Sequence, residues 1–182
     1  MLEARPAKRD ATNRFSRDAR WGIFEADAPI GALVYDIKSE SATMNVRGQA
    51  FTAARERKRQ DEALGRMVLR ILSGRAKPPP NPVLLKDASG AVLARSERKG
   101  DASLLVRRGD EAFELRRRSA FSRPHYLYRQ GQSQALGMVG SKKIFTTRIC
   151  IDLPSEFDEP FQVFMLALLT DLGFVRRADM ST

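Results

Sequence analysis

The stretch Phe161-Gln-Val-Phe-Met-Leu-Ala-Leu-Leu-Thr-Asp-Leu172 limits what this chain can fold into more than any other. Pro160 suits a first helical turn, and Asp158 and Glu159 stand where the positive end of the helix dipole favours carboxylates. Gly173 is a stop signal, and Arg176 and Arg177 complement the negative end. A helix is therefore predicted over about 160–173. Between Phe161 and Leu172 only Gln162, Thr170 and Asp171 are polar, and Gln162 and Asp171 project from opposite sides of the wheel. A helix without a polar face must be surrounded on every side. At about 1.5 Å per residue it is roughly 18–21 Å long, too short to cross a bilayer. The rest of the chain has to enclose it.

What precedes the helix has the texture of short strands. Leu33, Tyr35 and Ile37 alternate along 32–37, and Thr43–Val46 and Gln49–Ala53 follow, hinged at Arg47-Gly48. Past residue 82 the meander is regular. Val83–Lys86 and Ala91–Arg95 flank Asp87-Ala-Ser-Gly90, and Ser103–Arg107 and Ala112–Arg116 flank Arg108-Gly-Asp-Glu111. His125–Arg129 and Gln134–Val139 flank Gln130-Gly-Gln-Ser133. A last strand runs from Ile144 to Leu153, with Phe145, Thr147, Ile149, Ile151 and Leu153 on one face. Evenly spaced short strands predict a meandering sheet or barrel. Closing that sheet around the apolar helix accounts for both patterns. The predicted fold is mainly β: a closed antiparallel barrel of about twelve short strands enclosing a hydrophobic C-terminal helix, as one domain over 21–177.

Three stretches stand apart from that pattern. Residues 1–20 carry Arg5, Lys8, Arg9, Arg14, Arg17 and Arg20 with few large apolar residues, and read as a mobile basic arm; 178–182 read as a tail. In 61–73, Leu64, Met67, Val68, Ile71 and Leu72 keep helical spacing with Arg59, Arg66 and Arg70 elsewhere on the wheel, yet Met67–Leu72 suits a strand equally. A basic amphipathic helix lying on a membrane is one reading, and an element packed on the domain is the other. Ser73–Pro82, with three consecutive prolines, reads as an extended loop.

Charge bears on partners. With 32 Lys+Arg against 22 Asp+Glu, a net charge of +10 and a pI near 10.3, the surface favours nucleic acid, lipid headgroups or acidic protein patches. One cysteine excludes an intramolecular disulfide, and one cysteine with one histidine argues against a zinc site. The N-terminus has no apolar run of the secretory kind and no segment is long enough to span a membrane. A cytoplasmic protein, peripheral wherever it meets a membrane, is expected.

No catalytic, metal or cofactor constellation emerges, so a non-enzymatic protein without cofactor is expected. His125 lies beside tyrosines with no nucleophile-elbow pattern in the chain, and reads as a packing residue. Cys150, inside an apolar strand, reads as an inert core thiol, and Gly137 and Gly140 as a bulge or turn. The strongest functional feature is basic clustering on strand ends: Arg107 and Arg108; Arg116 and Arg118 with Arg123; Lys142 and Lys143 with Arg148. These belong to successive strands, and Arg116 and Arg118 fall on the outer face. Pooled on one wall they would meet an anionic membrane or phosphorylated headgroup, each charge contributing about 1 kcal/mol. Glu97, Asp101, Glu111 and Glu114 are interleaved with them, so a merely solvated wall is the alternative. Nucleic-acid binding by the arm and residues 55–77, or an interaction scaffold with an unidentified protein partner, are the other readings.

The paired strands with the loop Lys86-Asp-Ala-Ser-Gly-Ala-Val-Leu-Ala94, then Ala135-Leu-Gly-Met-Val-Gly-Ser-Lys-Lys143, then a strand into Leu153-Pro154 and a final apolar helix, resemble the tubby C-terminal-like superfamily. The resemblance covers about 20–177 and takes in the tubby domain, phospholipid scramblases and LURP-one-related proteins. It implies a roughly twelve-stranded barrel threaded by the helix and, from tubby domains, phosphoinositide headgroups held by basic side chains. The acidic calcium segment of scramblases has no match. Asp152, Glu156, Asp158 and Glu159 lack the spacing of a calcium loop and read as helix capping.

Overall fold

The computed structural model describes residues 1–7, 19–36, 38–56, 81–99, 103–119, 124–141 and 148–171. Twelve antiparallel strands form a closed barrel: β1 (Leu2–Pro6), β2 (Ala19–Glu25), β3 (Ala28–Asp36), β4 (Ser41–Val46), β5 (Gln49–Arg55), β6 (Val83–Asp87), β7 (Val92–Arg98), β8 (Ser103–Arg108), β9 (Glu111–Arg117), β10 (His125–Arg129), β11 (Ala135–Gly140) and β12 (Ile149–Asp152). Each strand pairs with its neighbours in sequence, and β1 pairs with β12 to complete the ring. One helix, α1 (Glu159–Asp171), follows.

Period-two patterning makes the barrel and fills it. Leu33 and Tyr35 of β3, Leu104 and Val106 of β8, Phe113 and Leu115 of β9 and Ile149 and Ile151 of β12 turn inward. With them, the helix side chains form one core, and every residue from Phe161 to Leu169 is buried. The barrel thus gives the helix the all-round apolar surroundings that its sequence demands. Its one polar residue there is satisfied, because Gln162 Nε2 donates to the Phe157 carbonyl at 2.8 Å. Asp158 caps the helix, its Oδ1 accepting from the Phe161 N–H at 3.0 Å. Phe113 meets Phe157 edge-on at 5.2 Å, and Phe157 stacks on Phe161 at 5.2 Å, sealing the helix start against β9.

An up-and-down barrel has two unlike ends. The even-to-odd hairpins and the β12–α1 connection lie where the helix begins, here termed the entry end. The odd-to-even connections and the last helical turn lie at the other, the exit end. Entry-end hairpins are tight. Ala26-Asp27 (φ 46° and 68°) and Arg47-Gly48 (φ 49° and 80°) are two-residue turns with both central residues left-handed, the geometry that matches strand twist. At Gly31 a Cβ would lie 2.0 Å from the Asn45 carbonyl oxygen, so β3 and β4 approach as closely as they do only with glycine there.

Several expectations need correction. Residues 1–20 are not simply an arm: Leu2–Pro6 is the strand that closes the barrel, with Leu2 and Ala4 buried, and Arg20 lies in β2. The signal was weak because only two small-to-medium side chains of β1 face inward. Cys150 points to the outer face between the buried Ile149 and Ile151 and is half-buried, not a core thiol. The helix runs over Glu159–Asp171. The remainder of the arm, the 61–73 element, the proline stretch to residue 80, Ile37 and 144–147 lie outside the described residues.

Candidate anion-binding surface

The predicted arginine wall is dispersed by the barrel. Arg116 is on the outer face of β9, its guanidinium 4.2 Å over the Tyr128 ring and its Nε 3.7 Å from Glu114. Arg118 lies one pleat further along, 4.1 Å over Tyr126 and exposed. Arg107 is outward and exposed on β8 but opposite Ala112, four residues from Arg116 and so about 13 Å along the strand. Arg148 is at the head of β12, three strands round the barrel from β9, with its Nε 3.4 Å from Glu3. Arg108 is at the entry end, bonded to Asp158 at 3.2 Å and lying over Phe161 at 5.3 Å. Arg123, Lys142 and Lys143 lie outside the described residues.

Carboxylates interleave with this wall. Glu114 pairs with Lys99 as well as Arg116, and Glu97 with Arg95 at 3.0 Å. An open hollow of about 380 Å³ lies on β10–β12, lined by Tyr126, Met138 and Pro154, and its two charged lining residues, Arg118 and Asp152, are of opposite sign and so give it no net charge for an anion.

The two ends differ far more than the sides. At the entry end Glu25, Asp27, Asp87, Asp110, Glu111, Glu156, Asp158 and Glu159 face Arg5, Arg47, Lys86, Arg108 and Arg129, which leaves carboxylates in excess among the described residues. Arg47, Arg108 and Arg129 each tie a hairpin to the start of the helix. Arg47 Nε lies 2.8 Å from both Glu159 oxygens while its Nη2 reaches Glu25 at 2.6 Å. Arg129 joins Glu111 at 2.7 Å to Glu156 at 3.3 Å. These arginines are engaged in holding the fold.

At the exit end the balance reverses. Lys38, Arg55, Arg98, Lys99, Arg117 and Arg118 stand among Asp36, Glu40 and Glu56. From this same end the chain leaves toward 8–18, 57–80, 100–102, 120–123 and 142–147, and the helix runs out toward 172–182. By sequence those stretches hold sixteen of the 32 Lys+Arg but six of the 22 Asp+Glu, whereas the described residues hold sixteen of each. The whole net charge of +10 is therefore carried by stretches attached at one end. Lys38, Arg98 and Lys99 were missed as site residues: Lys38 stands alone in sequence, and the pair Arg98-Lys99 follows Glu97 and was not singled out. The signal that finds them is the alternation of connections in a meander, which sends every second connection to the same end.

The single histidine does no surface chemistry. His125 turns into the barrel at the head of β10, paired in register with Arg117 and Val139 and 1% exposed. Burial, and then the nearby Arg117 charge, lower its pKa to about 4, so it is neutral inside the folded protein at ordinary pH. No described helix is long and apolar enough to cross a membrane. The outward faces of β7 to β9 carry Arg95, Glu97, Arg107, Glu114 and Arg116, unlike the apolar outer band of a membrane barrel. No family model, curated protein or solved structure matches this chain.

Proposed function

We propose that this chain is a non-enzymatic binding module of the tubby C-terminal-like kind that docks its exit end on anionic phospholipid surfaces. The observation that carries the reading is the partition of charge. The described barrel is electrically balanced, while the excess of ten positive charges belongs to stretches joined to the ring at the exit end. Around that ring Lys38, Arg98 and Arg118 are exposed on three separated connections. Charges spread round a ring suit a broad anionic surface better than a single small ligand, and each contributes about 1 kcal/mol near an anionic leaflet. The closed twelve-strand barrel and its C-terminal helix are what supports the family assignment.

Co-sedimentation with vesicles tests the reading. Binding to vesicles containing phosphatidylserine, none to phosphatidylcholine alone, and weakening in salt are expected. The double variant Arg107→Glu/Arg116→Glu should still bind, because the wall is not the docking face. Absence of binding at low salt removes the lipid reading. Binding to a single-stranded oligonucleotide in its place would transfer the same end to nucleic acid.

A further inference from the structure

The entry end presents a second surface, of opposite character. Besides its eight carboxylates it carries every large apolar side chain left exposed among the described residues: Met1 (69% exposed) ahead of β1, and Val92 (55%) and Leu93 (38%) at the start of β7. Asp110, Glu111 and Glu156 stand at this end, all exposed. Acidic groups and unpartnered apolar groups together repel an anionic membrane and suit a basic protein face. This molecule carries such a face at its other end, where Lys38, Arg98 and Arg118 are exposed.

We infer that the entry end of one copy docks on the exit end of a second copy, giving a head-to-tail stack. The two faces are different patches of the same chain, so the contact is heterologous and does not close on itself. Mass should therefore grow with concentration and not stop at a dimer. The attraction lies between net charges at separated surfaces, so it should fade as the screening length shortens with salt. Where the exit end also meets lipid, membrane and second copy compete for it, and anionic vesicles should break the stacks into single molecules.

Sedimentation velocity at about 20 mM and about 500 mM salt, where the screening length differs several-fold, tests this. In low salt the weight-average mass should rise past two chains with increasing concentration, and in high salt it should return to one. The variant Asp110→Lys/Glu111→Lys/Glu156→Lys, checked for an unchanged far-ultraviolet spectrum, should remain a monomer in low salt. Added to the wild type, it should end stacks and lower their mass, since its exit end still docks. A second variant, Val92→Ser/Leu93→Ser, should weaken association at least threefold without touching charge. A wild type that stays monomeric in low salt, a species that stops at a closed dimer, or a lysine variant that stacks as well as wild type would each overturn the inference. Vesicle binding by the lysine variant should be retained, so loss of stacking and loss of lipid binding are read separately.

Discussion

The two ends of the barrel use charge for different purposes. At the entry end Arg47, Arg108 and Arg129 are each held by carboxylates at the start of the helix, and tight hairpins leave little chain between strands. At the exit end most connections are longer and basic residues outnumber the acids that could hold them. Charges engaged at short range fix geometry, whereas an unbalanced excess reaches outward to a partner. The sign of a cluster in sequence says little until its end of the barrel is known. Arg107 and Arg108 are adjacent in sequence, yet one is exposed on the wall and the other holds the helix cap.

The comparison can be broken most severely at the core both ends share. Leu168→Asp places a carboxylate where the side chain is 1% exposed, among apolar neighbours. An unpaired buried charge costs at least about 3–5 kcal/mol, comparable with the stability of a whole domain. The variant should lose its β circular-dichroism signal and be insoluble.

Acid should separate the ends next. In the unfolded chain His125 takes a proton as pH falls below about 6.5, but in the fold only near about 4. The unfolded state then binds more protons, so stability falls as pH drops through that window, by up to about 3 kcal/mol. The melting temperature should fall between pH 6.5 and 4, and His125→Leu should flatten that slope. The entry end responds lower. Asp27, held down by its hydrogen bond from Arg5, loses that contact only below the usual carboxylate range. An unchanged melting temperature between pH 6.5 and 4.5 would refute the burial of His125.

A smaller effect is expected at the helix cap. Asp158→Ala removes the acceptor of the Phe161 N–H and the partner of Arg108, and should cost about 1 kcal/mol in urea denaturation. The smallest belongs to the exit end. Lys38→Glu/Arg98→Glu/Arg118→Glu alters three exposed side chains and should change stability by less than about 0.5 kcal/mol for each.

The fold was legible in sequence because two demands pointed to one solution. A helix with no polar face needed enclosure, and a meander with one apolar face per strand could supply it. The strand pair at Val83 and the following residue runs were readable from Gly-bearing turns such as Asp87-Ala-Ser-Gly90. β1 was not, since Leu-Glu-Ala-Arg-Pro offers two inward side chains and gains its place only through partners on both sides. The candidate site was less legible. Arg116 and Arg118 were placed correctly on the outer face by alternation, but Arg148 is three strands away and Arg108 is at the far end. Neighbourhood in a meander decides which strands touch, whereas the height of a residue on the wall depends on strand register, which a single sequence does not reveal.

The most direct test compares equal charge changes at the two ends. Each of two triple variants, Lys38→Glu/Arg98→Glu/Arg118→Glu and Asp110→Lys/Glu111→Lys/Glu156→Lys, alters three exposed side chains. Their binding to phosphatidylserine vesicles should be measured beside wild type in a single salt series. The exit-end variant should lose at least tenfold in affinity, and the entry-end variant should bind at least as well as wild type. An exit-end variant that binds like wild type would contradict the account.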